Sequence, residues 1–157
     1  MSPEFSNQTS KKIEEILSRY PQKEAAILPI LHLAQQEFGS ISEEEEKLVA
    51  GILGIKPIKV REVVSFYSML NRKPVGKYHI QVCSNLSCNL MGAEKLIEYL
   101  TEKLGIRPGE TTPDKRFTLT TVECLGACEQ APSMMINFEY YGDLNRKKID
   151  EILDKLE

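Results

Sequence analysis

The residues of this chain best suited to chemistry are its four cysteines. Cys83 and Cys88 form a C-x4-C pair, and Cys124 and Cys128 form a C-x3-C pair thirty-five residues later. Each pair falls where a predicted strand ends, which is where α/β sheets place their sites. Two loops leaving adjacent strands can bring four thiolates around one centre. Zinc knuckles hold two to four residues inside each pair, so these spacings are slightly wide for zinc but compatible with it. An iron–sulfur cluster also takes four thiolates, and its sulfurs are tuned by hydrogen bonds from a closely approaching main chain. Ser84, Asn85 and Ser87 in the first loop, and Gly126 and Ala127 in the second, are small enough for that approach. Gly126 is also free to take positive φ. Spacing alone leaves three readings open: an iron–sulfur cluster, zinc, and disulfides or free thiols. Thiol–disulfide exchange normally uses C-x-x-C with one thiolate at a helix N-terminus, and the chain contains no C-x-x-C.

The rest of the composition narrows the setting. The 157 residues are 41% hydrophobic and 27% charged, with a net charge of −3. That composition is globular, and the acidic balance argues against nucleic acid or an anionic membrane surface as partner. The opening MSPEFSNQTS has neither a basic nor an apolar region of the kind a signal peptide needs. The most apolar run, AAILPILHLA at residues 25–34, is about half the length of a bilayer span. The expectation is a cytoplasmic chain with no direct membrane insertion. There cysteines are kept reduced and more often hold metal or do redox work than form structural disulfides.

The elements that must position the cysteines follow from periodicity and punctuation. Four helices are predicted in the first seventy residues. The first covers residues 10–20, with Thr9 or Ser10 as its cap, Ile13, Ile16 and Leu17 on one face, and Pro21 as its stop. The second covers residues 23–38, with Ile27, Leu31, Ala34 and Phe38 on one face, Pro29 kinking or delaying it, and Gly39 closing it. The third opens on a Ser42–Glu45 capping box, with Glu43 to Glu46 read as a solvated helix start, and ends at Gly51 or Gly54. The fourth runs over residues 57–69 from Pro57 at its first position. Asn71 to Gly76 is turn-rich and divides a helical domain, residues 1–75, from a second domain, residues 76–157.

The second domain alternates. Strands are predicted at 77–83, 117–122 and 133–137, and helices at 93–104 and 145–156, with 106–114 as a loop. The order β-α-β-β-α is that of a small α/β sandwich close to a minimal thioredoxin-like fold. His79 lies on the strand face opposite Ile80 and is expected at the surface or an interface; His32 is in the other domain, so neither histidine is a candidate ligand. Glu123 and Glu129 adjoin ligand positions and either face solvent or lower the potential of a bound cluster. Ala131–Pro132 stands open between trans and cis. Phe66, Tyr67, Met69 and Leu70 form an apolar group before the linker that belongs to an interdomain seam or a partner interface.

Two segments carry a specific resemblance: VCSNLSCNLMGA at residues 82–93 and VECLGACEQAPSMMIN at 122–137. They resemble the cluster-binding loops of thioredoxin-like [2Fe–2S] ferredoxins and, more closely, those of the 24-kDa subunits of respiratory NADH:quinone oxidoreductase (complex I). AAILPILHLAQQEFG at 25–39 and EVVSFYSML at 62–70 extend the resemblance into the helical half, which free ferredoxins do not need. The resemblance implies an N-terminal helical bundle followed by a thioredoxin-like [2Fe–2S] domain, with one cluster on Cys83, Cys88, Cys124 and Cys128. It implies that the helices pack on a partner subunit bearing FMN, the NADH site and a [4Fe–4S] cluster, with which this chain exchanges single electrons. It also implies residence at the cytoplasmic side of a membrane within that complex. The same subunit type serves NAD-linked hydrogenases and formate dehydrogenases; a zinc-stabilised interaction module is the alternative of another class. The chain has no G-x-G-x-x-G fingerprint, P-loop or nucleophile–base pair, so a complete active site is not expected in it.

Overall fold

The computed structural model describes residues 3–156 and divides the chain into two compact units, Met1–Pro74 and Val75–Glu157. Among the described residues, no helix is long and apolar enough to cross a membrane.

The first unit is helical. Helix α1 (Asn7–Ser18) starts three residues earlier than expected, because Ser6 rather than Thr9 or Ser10 is its cap: the Ser6 hydroxyl accepts from Thr9 N–H at 3.3 Å. A short 3-10 turn, Lys23–Ala26, precedes α2 (Ile27–Phe38). Pro29 therefore falls at the third helical position, where an N–H has no intrahelical acceptor to lose, and delays the helix without breaking it. Gly39 closes α2 in the left-handed region, φ 79°. Helix α3 (Glu43–Leu53) has its capping box, with Ser42 N–H donating to the Glu45 carboxylate at 2.7 Å.

Glu46 corrects the expectation of a solvated acidic face. Its side chain is buried, and one carboxylate oxygen accepts from Arg61 Nε at 2.8 Å. Glu46 is one turn beyond the cap, where α3 faces α4 (Pro57–Phe66) rather than water. Helix α4 stops three residues short of Met69. Gln35 of α2 holds the chain that follows by donating to Met69 O at 2.8 Å and accepting from Asn71 N–H at 2.5 Å, and Leu70 turns into the core. Ile13, Ile30, Leu31, Val49, Leu53, Val60 and Val64 fill that core.

The second unit is a five-stranded mixed sheet with helices. Its strands are β1 (Tyr78–Cys83), β2 (Glu110–Thr111), β3 (Phe117–Val122), β4 (Met134–Ile136) and β5 (Glu139–Tyr141), in the order β2-β3-β1-β4-β5. β1 and β3 are parallel and the other pairs antiparallel. A parallel pair needs a long crossover; here the connection carries α5 (Leu86–Leu90) and α6 (Ala93–Leu104). Helix α7 (Arg146–Leu153) closes the chain. Ile80, Val82, Leu119, Met134 and Ile136 from one sheet face meet Leu96 and Leu100 of α6 and Ile149 and Ile152 of α7.

Three elements, α5, β2 and β5, lie outside the expected β-α-β-β-α order. β2 and β5 are only two and three residues long and exist because a neighbouring strand supplies their hydrogen bonds. His79 is also corrected. It is buried on the second face of the sheet, with Nε2 2.9 Å from the Thr120 hydroxyl, and its main chain pairs reciprocally with Asn137 at 3.0 Å.

Candidate metal centre

The parallel register of β1 and β3 sets Cys83 beside Val122, the last residue of each strand. The two cysteine loops therefore leave the same end of the sheet side by side. Ser84 stitches them together: its N–H and hydroxyl both donate to Val122 O, at 2.9 and 3.2 Å. Asn85 caps α5 by accepting from Leu86 N–H at 2.8 Å, and Asn89 donates back to Ser84 O at 3.1 Å. This single turn of helix folds the first loop so that Cys88 returns beside Cys83.

The four thiols are free and differ in surroundings: Cys83 and Cys88 are buried, Cys124 and Cys128 exposed. Cys83 and Cys88 share a small cluster with Ala93 and Ala131, against which Leu125 of the second loop packs. Burial pushes the Cys83 thiol up, and its hydrogen bond to Cys88 adds to that; N–H groups of Asn85 and Leu125 act in the opposite sense. Burial also opposes ionisation of Cys88, but donors from Ser133 and Cys83 outweigh it and hold that thiol below its ordinary value. Cys83 Sγ lies 3.8 Å from Glu123 O. Gly126, at φ 70°, turns its N–H onto Cys124 Sγ at 3.3 Å. Ala131–Pro132 is cis. Glu123 and Glu129 are exposed.

A chemical pattern runs through these contacts. The Gly126 N–H is turned onto Cys124 Sγ in the second loop, and the Ser133 hydroxyl stands 3.6 Å from Cys88 Sγ in the first. Among the described residues, no three His, Cys, Asp or Glu side chains converge as a single-ion site. The thiols stand instead as one buried pair and two exposed neighbours on the adjoining loop. Two thiolates for each of two irons, with N–H donors to sulfur, is what a [2Fe–2S] group requires, so the donor set fits it. Ser133 is a neighbour of the site that sequence reasoning misses. It lies next to Pro132 and just outside the short strand β4, and no periodicity marks it.

A family model of the thioredoxin-like [2Fe–2S] ferredoxins matches residues 13–157. The chain belongs to this family. Among its curated relatives, an NADH-quinone oxidoreductase subunit of Rhizobium meliloti (strain 1021) is 45% identical over 144 residues, covering 92% of this chain and 86% of that one. NADH-quinone oxidoreductase subunit 2 of Thermus thermophilus is 46% identical over 144 residues, covering 90% and 80%. Among solved structures, an NAD+-reducing [NiFe]-hydrogenase superposes with a TM-score of 0.73 at 24% identity. That match covers 83% of this chain but 22% of the hydrogenase chain, and it speaks to the fold. The alignments with these relatives span nearly the whole chain, so both of its units have counterparts in them.

Proposed function

We propose that this chain is the [2Fe–2S] electron-transfer subunit of an NADH:quinone oxidoreductase, with Cys83, Cys88, Cys124 and Cys128 as the cluster's ligands. The observation that carries the reading is the side-by-side exit of the two cysteine loops from paired parallel strands, with the Gly126 N–H turned onto Cys124 Sγ and the Ser133 hydroxyl beside Cys88 Sγ. Near-full-length similarity to complex I subunits supports the choice of complex.

A bound cluster supplies one-electron chemistry. The protein's part is to hold it and set its potential. The buried pair anchors one side of the group away from water, while Cys124 and Cys128 leave the other side open to a redox partner. Hydride chemistry belongs to that partner, a subunit with FMN, the NADH site and a [4Fe–4S] cluster; the helical unit is the second surface for binding it. The assembly sits on the cytoplasmic side of the membrane.

Anaerobic purification, iron analysis and EPR test this. About two irons per chain, with a spin-½ signal appearing only after dithionite, is the expected result. A colourless protein with one zinc and no signal would overturn it. Oxidation of NADH by the isolated chain would overturn the division of labour with the flavin subunit.

A further inference from the structure

We propose that Ser133 is a potential-setting residue whose hydroxyl donates a hydrogen bond to the Cys88 sulfur and favours the reduced cluster. The inference rests on the cluster reading above and goes beyond it by assigning a role to a residue outside the ligand set.

Ser133 is 1% exposed, so its hydroxyl is cut off from water and needs a partner inside the protein. Its oxygen lies 3.6 Å from Cys88 Sγ, hydrogen-bond distance for the large sulfur atom. The main chain fixes this approach: Cys83 N–H donates to Ser133 O at 3.1 Å, which ties Ser133 to the end of β1. Cys88 is equally constrained, being 1% exposed and carried on the capped turn of α5.

Between a free thiol and a hydroxyl, either atom can donate. A metal ligand is a thiolate, which has no proton. The direction then becomes O–H to sulfur. Reduction adds negative charge to the cluster and its sulfurs, so the bond strengthens in the reduced state. Burial enlarges the effect, because no water competes at this side of the site. Cys124 contrasts with it: that sulfur is exposed and receives a backbone N–H, which no side-chain substitution removes directly. Ser133 is thus a side-chain lever on the buried half.

The test is Ser133→Ala in the full chain, purified anaerobically, with iron content measured first and the midpoint potential then titrated by EPR. With about two irons retained, the midpoint is expected to move negative. At the wild-type midpoint the reduced-to-oxidised ratio should fall about threefold or more. Ser133→Thr, which keeps the hydroxyl, should restore it. The wild type should also show a deuterium-sensitive Fe–S stretch that Ser133→Ala diminishes, which a purely structural role would not produce. Should the alanine variant lose its iron, Ser133→Gly removes the same hydroxyl without adding bulk, and the same negative shift is expected. A loaded Ala or Gly variant with unchanged midpoint overturns this inference alone. A wild-type chain that holds no [2Fe–2S] cluster overturns the functional reading, and this inference with it.

Discussion

The Cys83 thiol sits 3.8 Å from the Glu123 carbonyl oxygen, forty residues further along the chain. That contact exists because β1 and β3 end in register, and it brings the start of the second cysteine loop onto the first ligand. The loops are therefore interdependent. Cys83→Ala is expected to reduce retained iron well below the wild-type level, and Cys124→Ala to do the same from the exposed side. Iron analysis of both variants against wild type checks this; full iron in either one would remove that cysteine from the ligand set.

Gly126 adopts φ 70° with open space where a Cβ would stand, so its requirement is conformational rather than steric. Gly126→Ala should cost about 1–2 kcal/mol through the left-handed backbone. It should also loosen the N–H contact to Cys124. A fall in the urea midpoint together with faster iron loss to a chelator is the expected pair of results.

Gly142 is steric. A Cβ there would strike the Gln130 side chain and come within 2.9 Å of its carbonyl oxygen. Gln130 ends the short turn that begins at Cys128, so crowding displaces the turn that carries this ligand. Gly142→Ala should destabilise by about 1–3 kcal/mol. Gly51→Ala is the control: it lies inside α3 with nothing near a Cβ, and should stabilise by about 0.5–1 kcal/mol. Denaturant unfolding of both variants separates the two cases.

His79 has its pKa lowered from the ordinary 6.5 because burial opposes the charged ring. The unfolded chain therefore takes up a proton at a higher pH than the folded one. Below pH 6.5 the unfolded state carries the extra proton, so this contribution to stability is full above that value and is lost as pH falls toward the folded pKa. Urea midpoints measured at about pH 7.5 and about pH 5.5 should show the loss, and His79→Gln should reduce it. Equal slopes in the two proteins would remove His79 as the cause.

Arg61 joins Glu43 and Glu46 at 2.8 Å each, and Glu46 is 1% exposed with its other carboxylate oxygen unpaired. Arg61→Ala strands a buried charge and should lower the thermal midpoint. Adding Glu46→Gln removes that charge and should recover part of the loss. A double variant no more stable than Arg61→Ala would show that packing, not charge, dominates there.

The four candidate ligands and their grouping into two loops were legible in the chain itself, because cysteine type and spacing are local facts, although spacing alone left a cluster, zinc and free or bridged thiols open. So were α6 and β3, whose observed limits match the expected ones, and the Ser42 and Gly39 helix signals, since periodicity and capping act within a few residues. Other features needed the folded neighbours. β2 and β5 are too short to carry a pattern and form only against β3 and β4. The end of α4 was set by Gln35, more than thirty residues away. Burial of Glu46 and His79 came from packing partners, as did the contrast between a buried Cys83–Cys88 pair and exposed Cys124 and Cys128. Ser133 reached Cys88 because β4 pairs with β1. Propensity and spacing are properties of neighbouring residues; burial, register and approach to a sulfur atom are properties of pairs that only the closed fold brings together.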